Sequence, residues 1–364
     1  MDEPTSPPPT ESSGGSARAP LQGFASADLV REFPSVPLAE ARKIVSAIFR
    51  FGELPKGIPG VTRASMAAVR EGGHVPRLEV LRQLASREDP FVKFALRTSD
   101  GEVVETVRIP LEREGRYSVC VSSQVGCALA CAFCATGRMG LRRNLEVWEI
   151  VEQVRIVRAG LTTGRVHGVV FQGMGEPMAN LDRVLRAIRV MTDPSALAID
   201  ARNVTVCTSG LPSGIRRLAT EAPNVRLGLS LGSARSEVRK RIMPIANVHS
   251  LDDVLEAAAF HARTTGLAPM WAVTPLDGVN DGDDDARALA DMASRFADAT
   301  GVRPRISVIP YNSIADADDP FARTGPEREA RFRDVLREGG FGSHRRYSGG
   351  ADVAAACGQL AAKV

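Results

Sequence analysis

The sequence predicts an α/β protein in which a partial (β/α)6 barrel follows a small helical domain. Between residues 144 and 339, short apolar runs of strand type alternate with segments of helical periodicity, and such alternation favours a parallel sheet with right-handed crossovers. Before residue 88 the apolar residues recur at helical spacing. In parallel barrels the chemistry lies at the carboxyl ends of the strands, so functional side chains are expected there.

Composition divides the chain into three parts. Residues 1–22 are rich in Pro, Ser and Gly and lack periodicity, which predicts a disordered tail. Residues 23–90 are predicted to form a helical accessory domain, with helices in ADLVREF, LAEARKIVSAIFRFG, SMAAVREGG and LEVLRQLASRE. The predicted core at 91–364 comprises a hairpin at 91–110, the partial barrel at 116–348 and a C-terminal segment at 349–364 that carries a cysteine.

The elements of the core follow from local patterns. Two alternating runs joined by Ser-Asp-Gly, FVKFALRT and EVVETVRIP, predict a β-hairpin. Asn144 is expected to cap a helix whose apolar face includes Val147, Ile150 and Val154. The predicted strands of the barrel are VHGVVFQ, VTVCTS, VRLGLSL, APMWAVT and RISVIP. The predicted helices are the segment around 181–191, GIRRLATE, LDDVLEAAAFHART, ARALADMASRFADAT and EREARFRDVLREGG.

Charge and cysteine content narrow the functional class. The net charge of +3, from 46 Lys and Arg against 43 Asp and Glu, is only mildly basic, so nucleic-acid contacts must come from local patches. Six cysteines in a chain of 364 residues indicate reduced, metal-binding thiols rather than a secreted disulfide framework. No apolar run could span a bilayer and the N-terminus lacks a signal-peptide core, so we expect a cytoplasmic protein without membrane contact.

Three cysteines, Cys127, Cys131 and Cys134, have C-x3-C-x2-C spacing. Three thiolates on one loop can hold three corners of a [4Fe–4S] cluster and leave the fourth iron open for chemistry. The alternative is a structural zinc knuckle, which usually closes with a fourth ligand. No second Cys/His pair of suitable spacing occurs and none of the five His lies close by, so the spacing favours the cluster.

The sequence around these cysteines resembles the RlmN/Cfr family of radical S-adenosylmethionine (SAM) adenosine C-methyltransferases. The similarity covers residues 25–364 and rests on CVSSQVGCALACAFCATG, VETVRIP, GMGEP, GVND and AAACGQLA. It implies a radical SAM barrel, a [4Fe–4S] cluster on the three cysteines and two SAM molecules per turnover. It also implies RNA as the partner, namely 23S rRNA and possibly tRNA, together with an electron donor such as flavodoxin or ferredoxin.

The resemblance assigns SAM binding to residues that end the predicted strands. Glu176, in GMGEP, would bind the ammonium group of SAM. Without the resemblance, the same motif could simply be a Gly-rich turn between a strand and a helix. The full set implied is Gly175, Glu176, Cys207, Ser230, Leu231, Gly232 and Asn312. Two of them depart from the family pattern, because CTSG stands where STSG is expected and SLG stands where SLH is expected. For Cys207 a role as a small buried residue is favoured over a catalytic thiol.

The resemblance assigns catalysis to Cys357, Cys120 and Glu105. A first SAM would methylate Cys357, and a second would yield the 5′-deoxyadenosyl radical that activates this methyl group for addition to carbon-2 or carbon-8 of an adenine. Cys120 would then attack as a thiolate, form a disulfide with Cys357 and free the product, while Glu105 accepts the substrate proton. The alternative for Cys120 and Cys357 is that they are two unrelated buried cysteines. The alternative for Glu105 is that it is a surface residue of a strand.

The sequence therefore leaves three hypotheses for the function. The leading one is a radical SAM RNA methyltransferase that modifies an adenosine carbon, with carbon-2 favoured. The second keeps the mechanism on a different RNA or a small molecule, and the third is a non-catalytic Fe–S adaptor that binds RNA. Arg142, Arg143 and Arg346 are candidates for phosphate contact, although arginines beside loops are usually just solvated. The accessory domain would help to hold RNA, or would only pack.

Overall fold

A computed structural model describes residues 18–314, 316 and 318–361. Its N-terminal part contains helices α1 (Ser26–Glu32), α2 (Leu38–Phe51) and α3 (Arg63–Gly72), and a short parallel pair of strands, β1 (Ala19–Pro20) and β2 (Gly73–His74). Residues 1–17 of the predicted tail lie outside the described residues. The prediction is wrong for residues 18–22, because β1 is paired and Leu21 is fully buried.

The three N-terminal helices form as predicted and pack onto the rest of the chain. On α2 the buried residues Ala41, Ile44, Val45 and Ile48 recur at helical spacing and form one face. At the start of α3 the side chain of Thr62 accepts a hydrogen bond from the Ser65 amide, as an N-cap residue does. These helices share one continuous hydrophobic core with the following sheet.

The segment LEVLRQLASRE was predicted to be a helix, and this prediction is wrong. It contains strand β3 (Glu79–Ala85), which pairs antiparallel with β4 (Val92–Arg97). The predicted hairpin of β4 and β5 (Val103–Pro110) is confirmed, and β5 continues antiparallel into β6 (Arg116–Cys120). The free edge of β4 offers backbone hydrogen-bond donors and acceptors to the segment that precedes it. Pairing with this edge outweighs the helical spacing of apolar residues in so short a segment.

The remaining strands build the barrel. They are β7 (Gln124–Cys127), β8 (Gly140–Asn144), β9 (Arg165–Phe171), β10 (Val204–Thr208), β11 (Arg226–Ser230), β12 (Met270–Val273), β13 (Arg305–Val308) and β14 (Ser343–Arg345). A ten-stranded sheet has the order β14-β13-β12-β11-β10-β9-β6-β5-β4-β3. Within it, β6 and the six strands β9 to β14 run parallel to one another. Strands β7 and β8 form a separate antiparallel hairpin.

The helices after β7 are α4 (Ala135–Arg138), α5 (Val147–Ala159), α6 (Leu181–Thr192), α7 (Pro212–Glu221), α8 (Ser236–Ile242), α9 (Leu251–Thr265), α10 (Asp283–Thr300) and α11 (Pro326–Glu338). Six of them, α5, α6, α7, α9, α10 and α11, connect successive parallel strands, so the predicted fold class, a partial (β/α)6 barrel, is confirmed. Asn144 does not cap α5, because it belongs to β8 and Glu146 is the N-cap residue. Among the described residues, no helix has the length and apolarity needed to cross a bilayer.

Candidate active site

The carboxyl ends of the parallel strands surround an open cavity. Ten of the residues singled out from the sequence line this cavity: Cys127, Cys131, Cys134, Gly175, Glu176, Cys207, Ser230, Gly232, Asn312 and Cys357. Leu231 does not line it, because its side chain is fully buried in the hydrophobic core. The fold thus brings residues from far-apart parts of the chain to one edge of the sheet, where a parallel barrel carries its chemistry.

The three motif cysteines lie on the loop that joins β7 to α4. Cys127 is the last residue of β7, and Cys134 directly precedes α4. Cys131 packs in a small apolar cluster with Met243 and Tyr311. Burial raises the pKa of Cys127 to about 11 and the pKa of Cys131 to about 12, and the nearby thiols add to both shifts. Ionisation of these thiols is therefore disfavoured unless a cation compensates for the negative charge.

This donor set fits an iron–sulfur cluster. Each thiolate of such a set binds a different iron of the cube, so the three sulfurs need not converge on one point. In the part of the chain that the structure describes, no three His, Cys, Asp or Glu side chains come together around a position for a single metal ion.

Gly175 and Glu176 follow β9 at the edge of the cavity. Gly175 has φ +96, and a Cβ atom there would lie 2.5 Å from Cβ of Gln124, so only glycine allows this approach. The Gln124 side chain in turn accepts a 2.8 Å hydrogen bond from the Glu176 amide. The Glu176 carboxylate accepts from the amides of Met178 and Ser209, at 3.0 and 2.9 Å. Burial raises its pKa, while these amides lower it.

The backbone at Gly232 disfavours any side chain at this position. Its φ is +69, in the left-handed region, and a Cβ atom would lie 2.5 Å from the sulfur of Met243. A side chain there would require both a strained backbone and a displaced methionine. Ser230, at the end of β11, keeps its side chain on the cavity wall.

Two of the three cysteines outside the motif share a second cavity. Cys120, the last residue of β6, and Cys357 both line it, together with Gln172 and Arg346. Cys357 also lines the larger cavity, so its side chain borders the space of the three motif cysteines and the space of Cys120. Burial raises the pKa of Cys120 to about 12; Cys357 contributes to this rise and Arg346 opposes it. All six cysteines are free thiols in this structure.

Cys207 borders the same group of thiols. It is buried in β10, and burial raises its pKa to about 12, against the opposing effect of Arg346. Its sulfur lies above Gly228, where an added Cβ atom would be 2.7 Å away. The glycine on the neighbouring strand therefore makes room for a thiol at a position where the family pattern has a hydroxyl.

The C-terminal segment is attached to the cysteine loop by hydrogen bonds. The Ala135 amide donates to the carbonyl of Gly358 at 2.8 Å, and the Thr136 hydroxyl donates to the carbonyl of Leu360 at 2.5 Å. Asn312 donates from its side chain to the carbonyl of Cys357 at 3.2 Å and to the Ser348 hydroxyl at 2.9 Å. These bonds hold the backbone at Cys357 and in the three residues that follow it.

Glu105 is not a surface residue, and that alternative is wrong. It is 1% exposed, and its Oε1 forms a 2.9 Å ion pair with Nζ of Lys93 on the neighbouring strand. Its Oε2 accepts a 2.9 Å hydrogen bond from the Ala361 amide, and Lys93 donates to the carbonyl of Ala354 at 3.3 Å. The buried pair therefore holds the C-terminal segment on both sides of Cys357. The sequence analysis did not single out Lys93. Its only indication in the sequence is its place in the alternating pattern of a strand whose predicted hairpin partner carries Glu105.

The three arginines considered for phosphate contact have other partners. Arg346 is half-buried and donates a 2.6 Å hydrogen bond to Oε1 of Gln172 beside the thiols. Arg143 is bound by Asp100 and Glu149. Arg142, which is exposed, pairs with Glu102. The role of Arg346 depends on a contact between distant parts of the chain that no local pattern shows.

Known proteins with similar sequences indicate the class of enzyme to which this site belongs. Residues 121–285 match the Radical SAM superfamily. A probable RNA methyltransferase of Sorangium cellulosum is 59% identical over 346 residues, which are 90% of this chain and 88% of the relative. A probable dual-specificity RNA methyltransferase RlmN of Symbiobacterium thermophilum is 35% identical over 353 residues, 94% of this chain and 91% of the relative.

A solved structure agrees over almost the whole chain. It is the crystal structure of a radical SAM methyltransferase from Sphaerobacter thermophilus, which is 33% identical, covers 95% of this chain and 100% of its own, and superposes with a TM-score of 0.83. The fold and the matched segment define a radical SAM enzyme. The chain belongs to the radical SAM methyltransferases of the RlmN type.

Proposed function

We propose that this enzyme methylates a ring carbon of an adenosine in RNA, with carbon-2 favoured over carbon-8, and that Cys357 carries the methyl group. The substrate to test first is 23S ribosomal RNA, and tRNA is the second. One observation carries the proposal: Cys357 lines the cavity of the three motif cysteines and also the cavity of Cys120. The relatives, which are named as RNA methyltransferases, supply the substrate class.

The chemistry of the adenine ring supports a sulfur carrier. Carbon-2 of adenine is electron-poor and has no lone pair, so the methyl group of SAM cannot be transferred to it as an electrophile. When bound, the iron–sulfur cluster and two SAM molecules supply the methyl group and the one-electron chemistry that activates it. The cysteine loop would hold the cluster through Cys127, Cys131 and Cys134, with Gly175 and Glu176 at the ammonium end of SAM. The chain itself orients Cys357 through the hydrogen bonds to Asn312 and the cysteine loop.

Cys120 would resolve the covalent link between Cys357 and the base. Its thiolate attacks the sulfur of Cys357; an S–S bond forms, and the bond between that sulfur and the transferred carbon breaks. The electron pair of the broken bond stays on the carbon, which takes a proton from solvent to become the methyl group. Arg346 faces both thiols and favours the thiolate form of Cys120. Glu105 would accept the proton that the base carbon loses. Both of its oxygens are engaged by Lys93 and Ala361, so this step would follow a shift of the C-terminal segment.

A polar groove beside these cavities suits the approach of RNA. Arg323, Arg345 and Tyr347 line it together with the acidic residues Glu88 and Asp89, and it shares Arg346 and Ser348 with the cavity of Cys120. Tyr347 is 66% exposed, and an exposed ring at such a position can stack on an unpaired base. Arginine side chains around it can bind phosphates. An RNA substrate, free thiols and a flavodoxin or ferredoxin as electron donor together suit a cytoplasmic enzyme.

A second candidate keeps the mechanism and changes the substrate. It is supported by Cys207 and Gly232, which alter the cavity wall at two positions where the family pattern has other residues. A different RNA or a small molecule would then occupy the cavity. A non-catalytic adaptor is not supported, because a scaffold needs no paired thiols in a common cavity.

The proposal is tested by reconstituting the cluster anaerobically and adding SAM, a reductant and unmodified 23S rRNA. Nucleosides from the digested RNA are compared with 2-methyladenosine and 8-methyladenosine standards by mass spectrometry. We expect 2-methyladenosine from the wild type and none from Cys357→Ala, with equal iron content of the two reconstituted proteins as the control for an intact cluster site. Methylated Cys357 without any modified 23S rRNA or tRNA would favour the second candidate.

A further inference from the structure

The amino-terminal edge of the barrel sheet carries a series of arginines. Arg116, Arg165, Arg226 and Arg305 are the first residues of β6, β9, β11 and β13. Arg202 lies two residues before β10 begins, and Arg116 and Arg165 are direct register partners. Because parallel strands begin at the same edge, these side chains lie at the opposite end of the barrel from the cavity of the cysteines. With Arg113, on the turn before β6, they are called the basic edge here.

The charges of the basic edge are largely uncompensated. Arg202 pairs with Asp200 at 2.7 Å. Within the described ranges, 18–314, 316 and 318–361, no ion pair is formed by Arg113, Arg116, Arg165, Arg226 or Arg305. Elsewhere on the surface arginines do find acids, as Arg217 does with Asp182 and Glu221.

The members of the basic edge are close enough to repel one another. Burial lowers the pKa of Arg116, and Arg113 and Arg165 lower it further. Arg226 is affected in the same way by Arg305 and Arg202, with Asp200 opposing. Glu112 and Glu114, the acids on the turn of Arg113, are exposed, and within the described part of the chain neither forms an ion pair with these arginines. A polyanion bound here would remove this repulsion.

The dimensions of the basic edge suit a nucleic-acid backbone. From β6 to β13 the sheet spans five strand spacings, or about 24 Å at about 4.8 Å each. The planar guanidinium of arginine matches phosphate with two parallel hydrogen bonds. An acidic electron carrier fits the charge but not the position, because it must deliver electrons near the cysteines at the opposite end of the strands.

We propose that the basic edge binds phosphates of the substrate RNA outside the modified nucleotide, while the cavity at the carboxyl edge receives the adenosine. This inference rests on the proposed function, since it takes the substrate to be RNA. It explains how a chain with a net charge of only +3 can hold a large polyanion: the binding charge is concentrated on one face.

The test uses the full chain carrying Arg165→Ala, Arg226→Ala and Arg305→Ala together. The matched control replaces three arginines that have acidic partners on the outer helices, Arg216→Ala, Arg287→Ala and Arg331→Ala, and changes the net charge equally. Binding of a 23S rRNA transcript is measured by filter retention between about 0.05 and 0.3 M salt. We expect the slope of log K against log salt to fall by roughly 3 for the first variant, with affinity lower by about two orders of magnitude.

Methylation separates this inference from the proposed function. The basic-edge variant should show a raised KM on the long transcript and an unchanged kcat, and it should methylate a short hairpin like the wild type. Equal salt slopes for the two triple variants would overturn the inference, even if the wild type methylates RNA. Loss of cluster reduction by flavodoxin with RNA binding retained would assign the basic edge to the electron donor instead. A wild type that binds the transcript through this edge but methylates no RNA contradicts the proposed function alone.

Discussion

The backbone amide of Ala135 donates a 2.8 Å hydrogen bond to the carbonyl oxygen of Gly358. Each of these residues directly follows a cysteine of the candidate site, Cys134 in the loop after β7 and Cys357 in the C-terminal segment. The two segments are more than two hundred positions apart in sequence, yet their backbones are bonded to each other. The loop proposed to hold the cluster therefore also fixes the proposed methyl carrier.

Thr136 gives a direct test of this coupling. Thr136→Val removes the buried hydrogen bond to the carbonyl of Leu360 and should lower the free energy of unfolding by about 1 kcal/mol. It should also slow methylation of Cys357, because the segment is less well held. Thr136→Ser keeps the hydroxyl and serves as the control. Equal rates of Cys357 methylation in all three proteins would show that this bond does not position the thiol.

Cys120→Ala should leave the enzyme covalently attached to its RNA. Without the second thiol the link between Cys357 and the base has no nucleophile to break it, so denaturing gels should show a protein–RNA band that nuclease removes. Release of free methylated RNA by this variant would exclude Cys120 from the resolving step.

Breakdown of the same link in the wild type should depend on pH. Burial raises the pKa of Cys120 to about 12, so the reactive thiolate is a small fraction at neutral pH. That fraction grows about tenfold per pH unit below the pKa. The link trapped by rapid quenching should therefore decay faster as pH rises from about 7 to 9. A rate that is flat over this range would mean that another step limits release.

The buried pair of Lys93 and Glu105 should be important for stability. Lys93→Met leaves a buried carboxylate without its cation and should destabilise the fold by about 3–5 kcal/mol in urea unfolding. Adding Glu105→Gln removes the buried charge and keeps an acceptor for the Ala361 amide, so the double variant should recover much of this loss. A double variant no more stable than Lys93→Met would contradict the importance of the ion pair.

Tyr347 should contribute to RNA binding without taking part in the chemistry. Its side chain is mostly exposed, and it lines both the polar groove and the cavity of Cys120 and Cys357. Tyr347→Ala should weaken RNA binding by about 1–3 kcal/mol, while Tyr347→Phe keeps the stacking surface and loses only the hydrogen bond to Asp89. Equal losses in both variants would assign the effect to the Asp89 contact.

Local patterns predicted the central strands and their helices because these elements are defined by burial. Strands β9 to β13 are apolar runs with helices between them, and each was predicted from its own residues. Strand β14 is three polar residues, Ser343–Arg345, and exists only because β13 offers it a partner. Strand β3 was missed for the same reason, since its pairing with β4 is not encoded in its own spacing.

The residues of the candidate site likewise fall into those that a local pattern predicts and those that only the folded chain brings together. Cys127, Cys131 and Cys134 are adjacent in sequence, so their spacing alone indicated a shared loop. The proximity of Cys120 and Cys357 was expected only through the family resemblance, because nothing local connects two cysteines so far apart. Arg346 and Lys93 act through contacts with distant segments, and burial, which decides their partners, is visible only in the folded chain.

The central claim is that Cys357 carries the methyl group. The most direct measurement is peptide mass spectrometry of the reconstituted, reduced enzyme after incubation with SAM bearing a labelled methyl group, before and after addition of RNA. We predict one labelled methyl on the peptide of Cys357 that is lost as labelled methyladenosine appears, and no methyladenosine from a Cys357→Ala variant that still contains iron. Labelled methyladenosine made by Cys357→Ala would contradict the account.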